Sequence, residues 1–104
     1  MTIAGSIKQE HKIAYLGNKA KEIFPNISIA IFEEAFRLGV EAALKKNKYR
    51  KWSDVIKEQP VARKKFFENI LRESKTYLKK TSLNIDQIEN LLNELSKKNR
   101  RYLG

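Results

Sequence analysis

Apolar residues recur at helical spacing along most of the chain, and the clearest example spans residues 28–46. Within this segment a charged residue recurs at every fourth position, at Glu33, Arg37, Glu41 and Lys45. On a helix these residues form one polar strip, and nearly everything else is apolar. Because a helix that is apolar on most of its circumference is normally covered by several neighbours, we predict that this segment is the central helix of a small domain.

Start and stop signals extend the prediction to four further helices. Ser6 and Gln9 form a capping box for the first helix, which Pro25 stops. Asn84 and Gln87 form a second box at the start of the last helix. The predicted helices cover residues 6–24, 28–46, 53–59, 61–80 and 84–98. Since no alternating pattern typical of strands competes, the sequence predicts an all-α, single-domain helical bundle of four main helices plus one short helix.

Two glycines lie inside predicted helices, although glycine costs about 1 kcal/mol there relative to alanine. Gly17 and Gly39 both fall on or near apolar faces. We expect them to let neighbouring helices cross closely. A larger side chain at position 39 would then overpack the core.

Length and composition narrow the class of protein. The chain has 104 residues and no cysteine, which indicates one domain without disulfides or thiolate metal sites. No segment near the N-terminus has the charged start, apolar core and cleavage site of a secretory signal. The longest apolar region, residues 27–44, carries too many charged side chains for a membrane span. We therefore expect an intracellular, cytoplasmic protein without a membrane span.

Enzyme chemistry has little support in the sequence. His11 is the only histidine, and the isolated glycines form neither a P-loop nor a dinucleotide-binding pattern. No G-x-S-x-G motif is present. One histidine with scattered carboxylates does not make a metal site. We predict a non-enzymatic protein that uses no cofactor and no metal.

The net charge of +10 arises entirely in the C-terminal part of the chain. Residues 1–44 contain five basic and five acidic residues, whereas residues 45–104 contain seventeen basic and seven acidic residues. This segregation favours a surface for an acidic partner. A compositional explanation competes with it, because lysine is a common default surface residue in a chain rich in Lys, Ile and Asn.

A basic segment that includes two aromatic residues follows the central helix. We name it the basic loop and define it as Lys45, Lys46, Lys48, Tyr49, Arg50, Lys51 and Trp52. Cations contact phosphate oxygens, and exposed aromatic rings stack on unpaired bases. In the alternative interpretation Tyr49 and Trp52 pack into the core and the lysines are simply solvated, since Trp is mostly buried on average.

Two more basic clusters lie further along the chain. The basic stripe consists of Lys65, Arg72, Lys75 and Lys79 on one predicted helix, where a row of cations can follow successive phosphates. The basic tail consists of Lys97, Lys98, Arg100 and Arg101. An ordinary solvated helix face explains the stripe equally simply, and complementation of the helix dipole explains part of the tail.

These clusters favour a nucleic-acid-binding accessory protein, or a subunit of a nucleoprotein assembly, that contacts the phosphate backbone of DNA or RNA with little sequence preference. The alternative is a basic protein-interaction module, such as an inhibitor or adaptor encoded by a mobile element or phage, that docks on an acidic protein surface. Self-association through the amphipathic helices is a third hypothesis. The sequence does not show whether the three clusters share one face.

Overall fold

A computed structural model describes the backbone of residues 4–98 and the side chains of residues 9–97. Within these residues the chain forms five helices and no strand. They are α1 (Ala4–Ile23), α2 (Ile29–Lys46), α3 (Trp52–Ile56), α4 (Pro60–Leu78) and α5 (Ile85–Lys98). The all-α fold of four main helices and one short helix is therefore confirmed.

Helix α2 is central, because it packs against both α1 and α4. Phe32, Phe36 and Val40 on its inner face are fully buried. Its start is capped by Ser28, whose side-chain oxygen accepts a hydrogen bond from the backbone N–H of Ala30 at 3.2 Å. The short helix α3 packs on α1 and α4, and α5 packs on the same two helices. None of the helices in residues 4–98 has the length and apolar character that a membrane crossing requires.

Every helix end lies within three residues of its predicted position. Ser6 lies inside α1, so the capping box predicted from Ser6 and Gln9 is wrong: an N-cap residue needs a non-helical backbone. Helix α3 ends at Ile56, short of the predicted residue 59. The N–H of Glu58 donates to the carbonyl of Val55, three residues earlier, at 3.0 Å, and Gln59 is extended (ψ 154°) before Pro60, so the helix does not continue.

The start of α5 follows its local signal. The backbone N–H of Asn84 donates to Oε1 of Gln87 at 2.9 Å, and the N–H of Gln87 donates to Oδ1 of Asn84 at 2.8 Å. These two bonds are the reciprocal pair of a capping box. The box predicted at this position is therefore confirmed.

Helices α2 and α4 cross closely at Gly39. A Cβ atom at this position would overlap the hydroxyl oxygen of Ser74 and would lie 3.0 Å from the backbone nitrogen of Ser74. Ser74 is fully buried, and its hydroxyl donates to the carbonyl oxygen of Ile70 at 2.7 Å. Gly39 thus allows the close crossing that the sequence predicted. At Gly17 a Cβ atom would instead meet Cγ of Glu33 at 2.7 Å, which belongs to a flexible side chain.

Candidate nucleic-acid interface

The first half of the basic loop includes the C-terminal end of α2, and the hydrogen bonds that end this helix fix its backbone. The N–H of Tyr49 donates to the carbonyl of Leu44 at 2.9 Å, and the N–H of Lys48 donates to the carbonyl of Lys45 at 3.2 Å. This pair of bonds is the Schellman motif. Lys48 occupies the left-handed position of the motif with φ 62°, where glycine is the usual residue.

The second half of the basic loop is held by the start of α3. One carboxylate oxygen of Asp54 accepts the backbone N–H groups of Arg50 and Lys51, at 3.1 and 3.3 Å. Asp54 lies in the first turn of α3, where a carboxylate also complements the helix dipole. The basic side chains of the loop therefore extend from a backbone that is fixed at both ends.

The two aromatic residues of the loop pack inward against α4. Trp52 is only 8 % exposed, and its ring centroid lies 5.5 Å from that of Phe66. Tyr49 is half-buried and meets the same ring edge to face, also at 5.5 Å. Burial and the nearby Glu58 carboxylate raise the pKa of Tyr49. The structure favours the alternative interpretation for Trp52, because a ring that is only 8 % exposed offers little surface for stacking on a base.

Most cations of the loop are exposed and lack an acidic partner. Lys45, Lys48, Arg50 and Lys51 are exposed, and none of them forms a salt bridge with a carboxylate among residues 9–97. Lys46 is exposed too, but its Nζ lies 3.5 Å from a carboxylate oxygen of Glu73 on α4. Four loop cations are thus available to an anionic partner, and the fifth is shared with an acid.

The basic loop contacts α4, the helix that carries the basic stripe. Its contacts with α4 fall on Phe66 and Glu73, which are the immediate sequence neighbours of Lys65 and Arg72. Both of these stripe residues are exposed. Each of them lies about 1.5 Å along the helix axis and about 100° around it from the neighbouring contact residue.

The other two members of the stripe, Lys79 and Lys75, differ in exposure and in pairing. Lys79, next to the C-terminal end of α4, is exposed. Lys75 is half-buried and forms an ion pair with Glu89 of α5. We therefore interpret Lys75 as a tie between α4 and α5 and not as a free cation.

The basic tail is only partly described. Lys97 is exposed and lies 3.9 Å from the carboxylate of Glu94, one helical turn earlier. The backbone of Lys98 ends α5. Arg100 and Arg101 lie outside the described residues, so their predicted contribution stays a prediction.

One buried cation was missed by the sequence reasoning. Lys12 is 6 % exposed, and its Nζ lies 4.9 Å from the ring centroid of Phe67 and 5.4 Å from that of Tyr15. Burial lowers the pKa of Lys12 to about 8. The signal was present in the sequence, because Lys12, Leu16 and Ala20 recur every four residues on the buried face of α1.

An apolar groove of about 350 Å³ lies between the N-terminal half of α2 and the C-terminal end of α4. Ile31, Leu38 and Tyr77 contribute to its walls, and Ile31 is 49 % exposed. None of the loop residues lines this groove. The groove and the basic loop are therefore separate surface features.

No known protein family, curated protein or solved structure matches this chain. Among the described residues, no three side chains of the types His, Asp and Glu are grouped as a metal ion would need. The candidate site for an anionic partner is the exposed charge of the basic loop and of the basic stripe.

Proposed function

We propose that the protein is a non-enzymatic, intracellular nucleic-acid-binding accessory protein, or a subunit of a nucleoprotein assembly, that contacts the phosphate backbone. The observation that supports this proposal is the exposed set of loop cations on a fixed backbone, together with the exposed Lys65 and Arg72 on α4, the helix that the loop contacts. Because the loop is already ordered, binding costs less conformational entropy than it would with a mobile loop.

Contacts of this kind give affinity without reading sequence. Cations that neutralise phosphates release condensed counterions, and the free energy gained depends steeply on salt. If about six phosphates are engaged, the logarithm of the binding constant should fall with the logarithm of the salt concentration with a slope near −5. Base-edge contacts are not part of the proposal, so we expect little sequence preference.

The test is fluorescence anisotropy of labelled DNA and RNA oligomers, titrated with the protein at two salt concentrations. The unaltered protein should bind with a dissociation constant of about 1 μM or less at low salt and with a steep salt slope. The triple variant Lys48→Glu, Arg50→Glu, Lys51→Glu should bind far more weakly, with circular dichroism unchanged. Absence of binding by the unaltered protein at low salt would overturn the proposal.

A matched control separates the position of a charge from its amount. Arg50→Glu and Lys19→Glu change the net charge equally, but Lys19 lies on α1, where it pairs with Glu22 at 3.3 Å. Only Arg50→Glu should weaken binding markedly. Equal losses in the two variants would mean that net charge, and not this surface, determines affinity.

An acidic protein surface is the second candidate partner. The burial of Trp52 favours this candidate, because cations without exposed rings suit a carboxylate-rich surface as well as a phosphate backbone. A protein partner predicts tight binding to an acidic protein and no binding to random oligonucleotides. The anisotropy titration therefore distinguishes the two candidates.

Self-association is the third proposal. Its support is the apolar groove beside the exposed side chain of Ile31. Sedimentation equilibrium at several protein concentrations tests it directly. A single monomer mass at all concentrations would reject it.

A further inference from the structure

The described part of the chain has no exposed aromatic ring. Among residues 9–97, five aromatic side chains are buried and four are half-buried. The buried ones are Phe32, Phe36, Trp52, Phe66 and Phe67, and the half-buried ones are Tyr15, Phe24, Tyr49 and Tyr77. Among residues 9–97, therefore, no fully exposed ring is available to an unpaired base; Tyr102 lies outside the described residues.

Each half-buried tyrosine ring has a neighbouring side chain close to it. The ammonium group of Lys19 lies 5.7 Å from the ring centroid of Tyr15, and that of Lys80 lies 5.8 Å from the centroid of Tyr77. Tyr49 meets Phe66 edge to face. A base that stacked on Tyr15 or Tyr77 would compete with these ammonium groups for the ring.

Single-stranded binding depends on such rings. Stacking on an aromatic side chain is worth about 1–3 kcal/mol per base, and this gain offsets the ordering of a flexible strand. Without it, a single strand offers only its phosphates. A duplex presents one charge per about 1.7 Å of its axis, against about 3.4 Å for each strand, and it is ordered before it binds. Electrostatic contact alone therefore favours the duplex.

The cations themselves are arranged rigidly. Lys65, Arg72 and Lys79 follow one another every seven residues at α4, which corresponds to about 10 Å along the axis within the helix. The basic loop, which contacts α4 at Phe66 and Glu73, is held by the Schellman bonds and by Asp54. DNA is stiff over about 150 base pairs, so a fixed row of cations meets a fixed row of phosphates.

We propose that the partner of this surface is double-stranded nucleic acid, bound through its phosphate backbones without base stacking. This inference rests on the proposed function. It adds the strandedness of the ligand, for which the burial of the loop aromatics is the argument. Mixed-sequence duplexes should bind alike, and unpaired strands should bind weakly.

The experiment compares three labelled DNA ligands of equal length at one salt concentration: a mixed-sequence duplex, one of its separated strands, and oligo(dT). The duplex should bind about tenfold or more tightly than either single strand. The emission of Trp52, the only tryptophan, should stay unchanged on binding, because its ring is packed against Phe66. Arg72→Glu should weaken duplex binding, while Lys19→Glu should not.

The outcomes separate the inference from the proposal beneath it. Equal or tighter binding of oligo(dT), or strong quenching of Trp52 by a single strand, would overturn the duplex inference and leave the nucleic-acid proposal standing. Binding of none of the three ligands at low salt would overturn both. Tight duplex binding that Arg72→Glu does not weaken would also reject this surface as the duplex site.

Discussion

The crossing of α2 and α4 and the end of α2 both favour glycine, but only the crossing has it. At the crossing, Gly39 leaves no room for a Cβ atom against Ser74. At the end of α2, Lys48 takes the left-handed backbone that a glycine normally supplies, with φ 62°. A non-glycine residue in this region costs about 1–2 kcal/mol. At the crossing, packing against Ser74 requires glycine. In the loop, position 48 is a lysine although its backbone conformation favours glycine.

We expect this difference to separate the residues that determine stability from those that determine binding. Backbone strain that packing does not require is a reason to look for function at the strained position. We expect substitutions at the crossing to change the free energy of unfolding, with salt and nucleic acid having little influence on their effect. Substitutions in the loop should change affinity and its salt dependence, and they should alter stability little or even raise it.

The largest effect should come from Gly39→Leu. The new side chain would overlap Ser74 in the buried crossing of α2 and α4, so the helices must separate. We expect a loss of about 3 kcal/mol or more in the free energy of unfolding. For a domain of this size that corresponds to a fall in melting temperature of more than about 10 °C, measurable by circular dichroism.

The control for that change is a pair of alanine substitutions. Gly39→Ala should destabilise by about 1–3 kcal/mol, because the nearest atoms include the backbone of Ser74. Gly17→Ala should destabilise less than Gly39→Ala, because the overlapping atom is Cγ of Glu33 and not backbone, and because alanine favours a helix by about 1 kcal/mol over glycine. An unchanged melting curve for both alanine variants and for Gly39→Leu would mean that the crossing tolerates a side chain.

The second effect concerns Lys12, which lies on the buried face of α1. Burial lowers the pKa of Lys12 to about 8 from 10.5, so the folded protein loses this proton before the unfolded chain does. Between these values the unfolded state binds more protons, and stability therefore rises with pH. We expect a gain of about 2 kcal/mol from pH 7 to 10. Urea denaturation at several pH values measures it.

Two variants isolate the contribution of Lys12. Lys12→Met should remove the rise between pH 7 and 10, because the buried titrating group is gone. Lys51→Met, which removes an exposed loop lysine, should keep the rise. A rise of equal size in the Lys12→Met variant would assign it to another group.

Local signals explain why most of the fold was predictable. The capping box of Asn84 and Gln87 and the N-cap Ser28 each act within a few residues of the helix end that they define. Ser6 carries the same type of signal as Asn84, yet its helix continues through it. A short signal therefore predicts that a helix exists better than it predicts where the helix begins.

The candidate site was less predictable because it depends on contacts between distant residues. Lys46 and Glu73 are 27 positions apart, and Lys75 and Glu89 are 14 apart. Spacing within one helix cannot show that these cations are shared with acids. In the same way, the burial of Trp52 follows from its contact with Phe66 on another helix. The sequence shows which residues are basic, but only the fold shows which of them are free of an acidic partner.

A third, smaller effect tests the strained position itself. Lys48→Gly should raise the free energy of unfolding by about 1 kcal/mol, since glycine adopts the left-handed backbone without steric cost. It should also weaken nucleic-acid binding and make the salt slope shallower by about 0.9, through loss of one phosphate contact. Lys48→Ala is the matched variant: it should weaken binding equally without the gain in stability. Stabilisation with unchanged affinity in the glycine variant would exclude Lys48 from the interface.

The smallest effect on stability should come from Glu73→Gln, which removes the acid that shares Lys46. Lys46 is 57 % exposed and Glu73 is 27 % exposed, so solvent screens the pair and the free energy of unfolding should change by less than about 1 kcal/mol. The released ammonium group belongs to the basic loop and should add a phosphate contact, which steepens the salt slope by up to about 0.9. Glu22→Gln makes the same charge change next to Lys19 on α1 and should leave the slope unaltered. A steeper slope in both variants would show that binding responds to total charge, whereas a change in Glu73→Gln alone would place Lys46 at the contact.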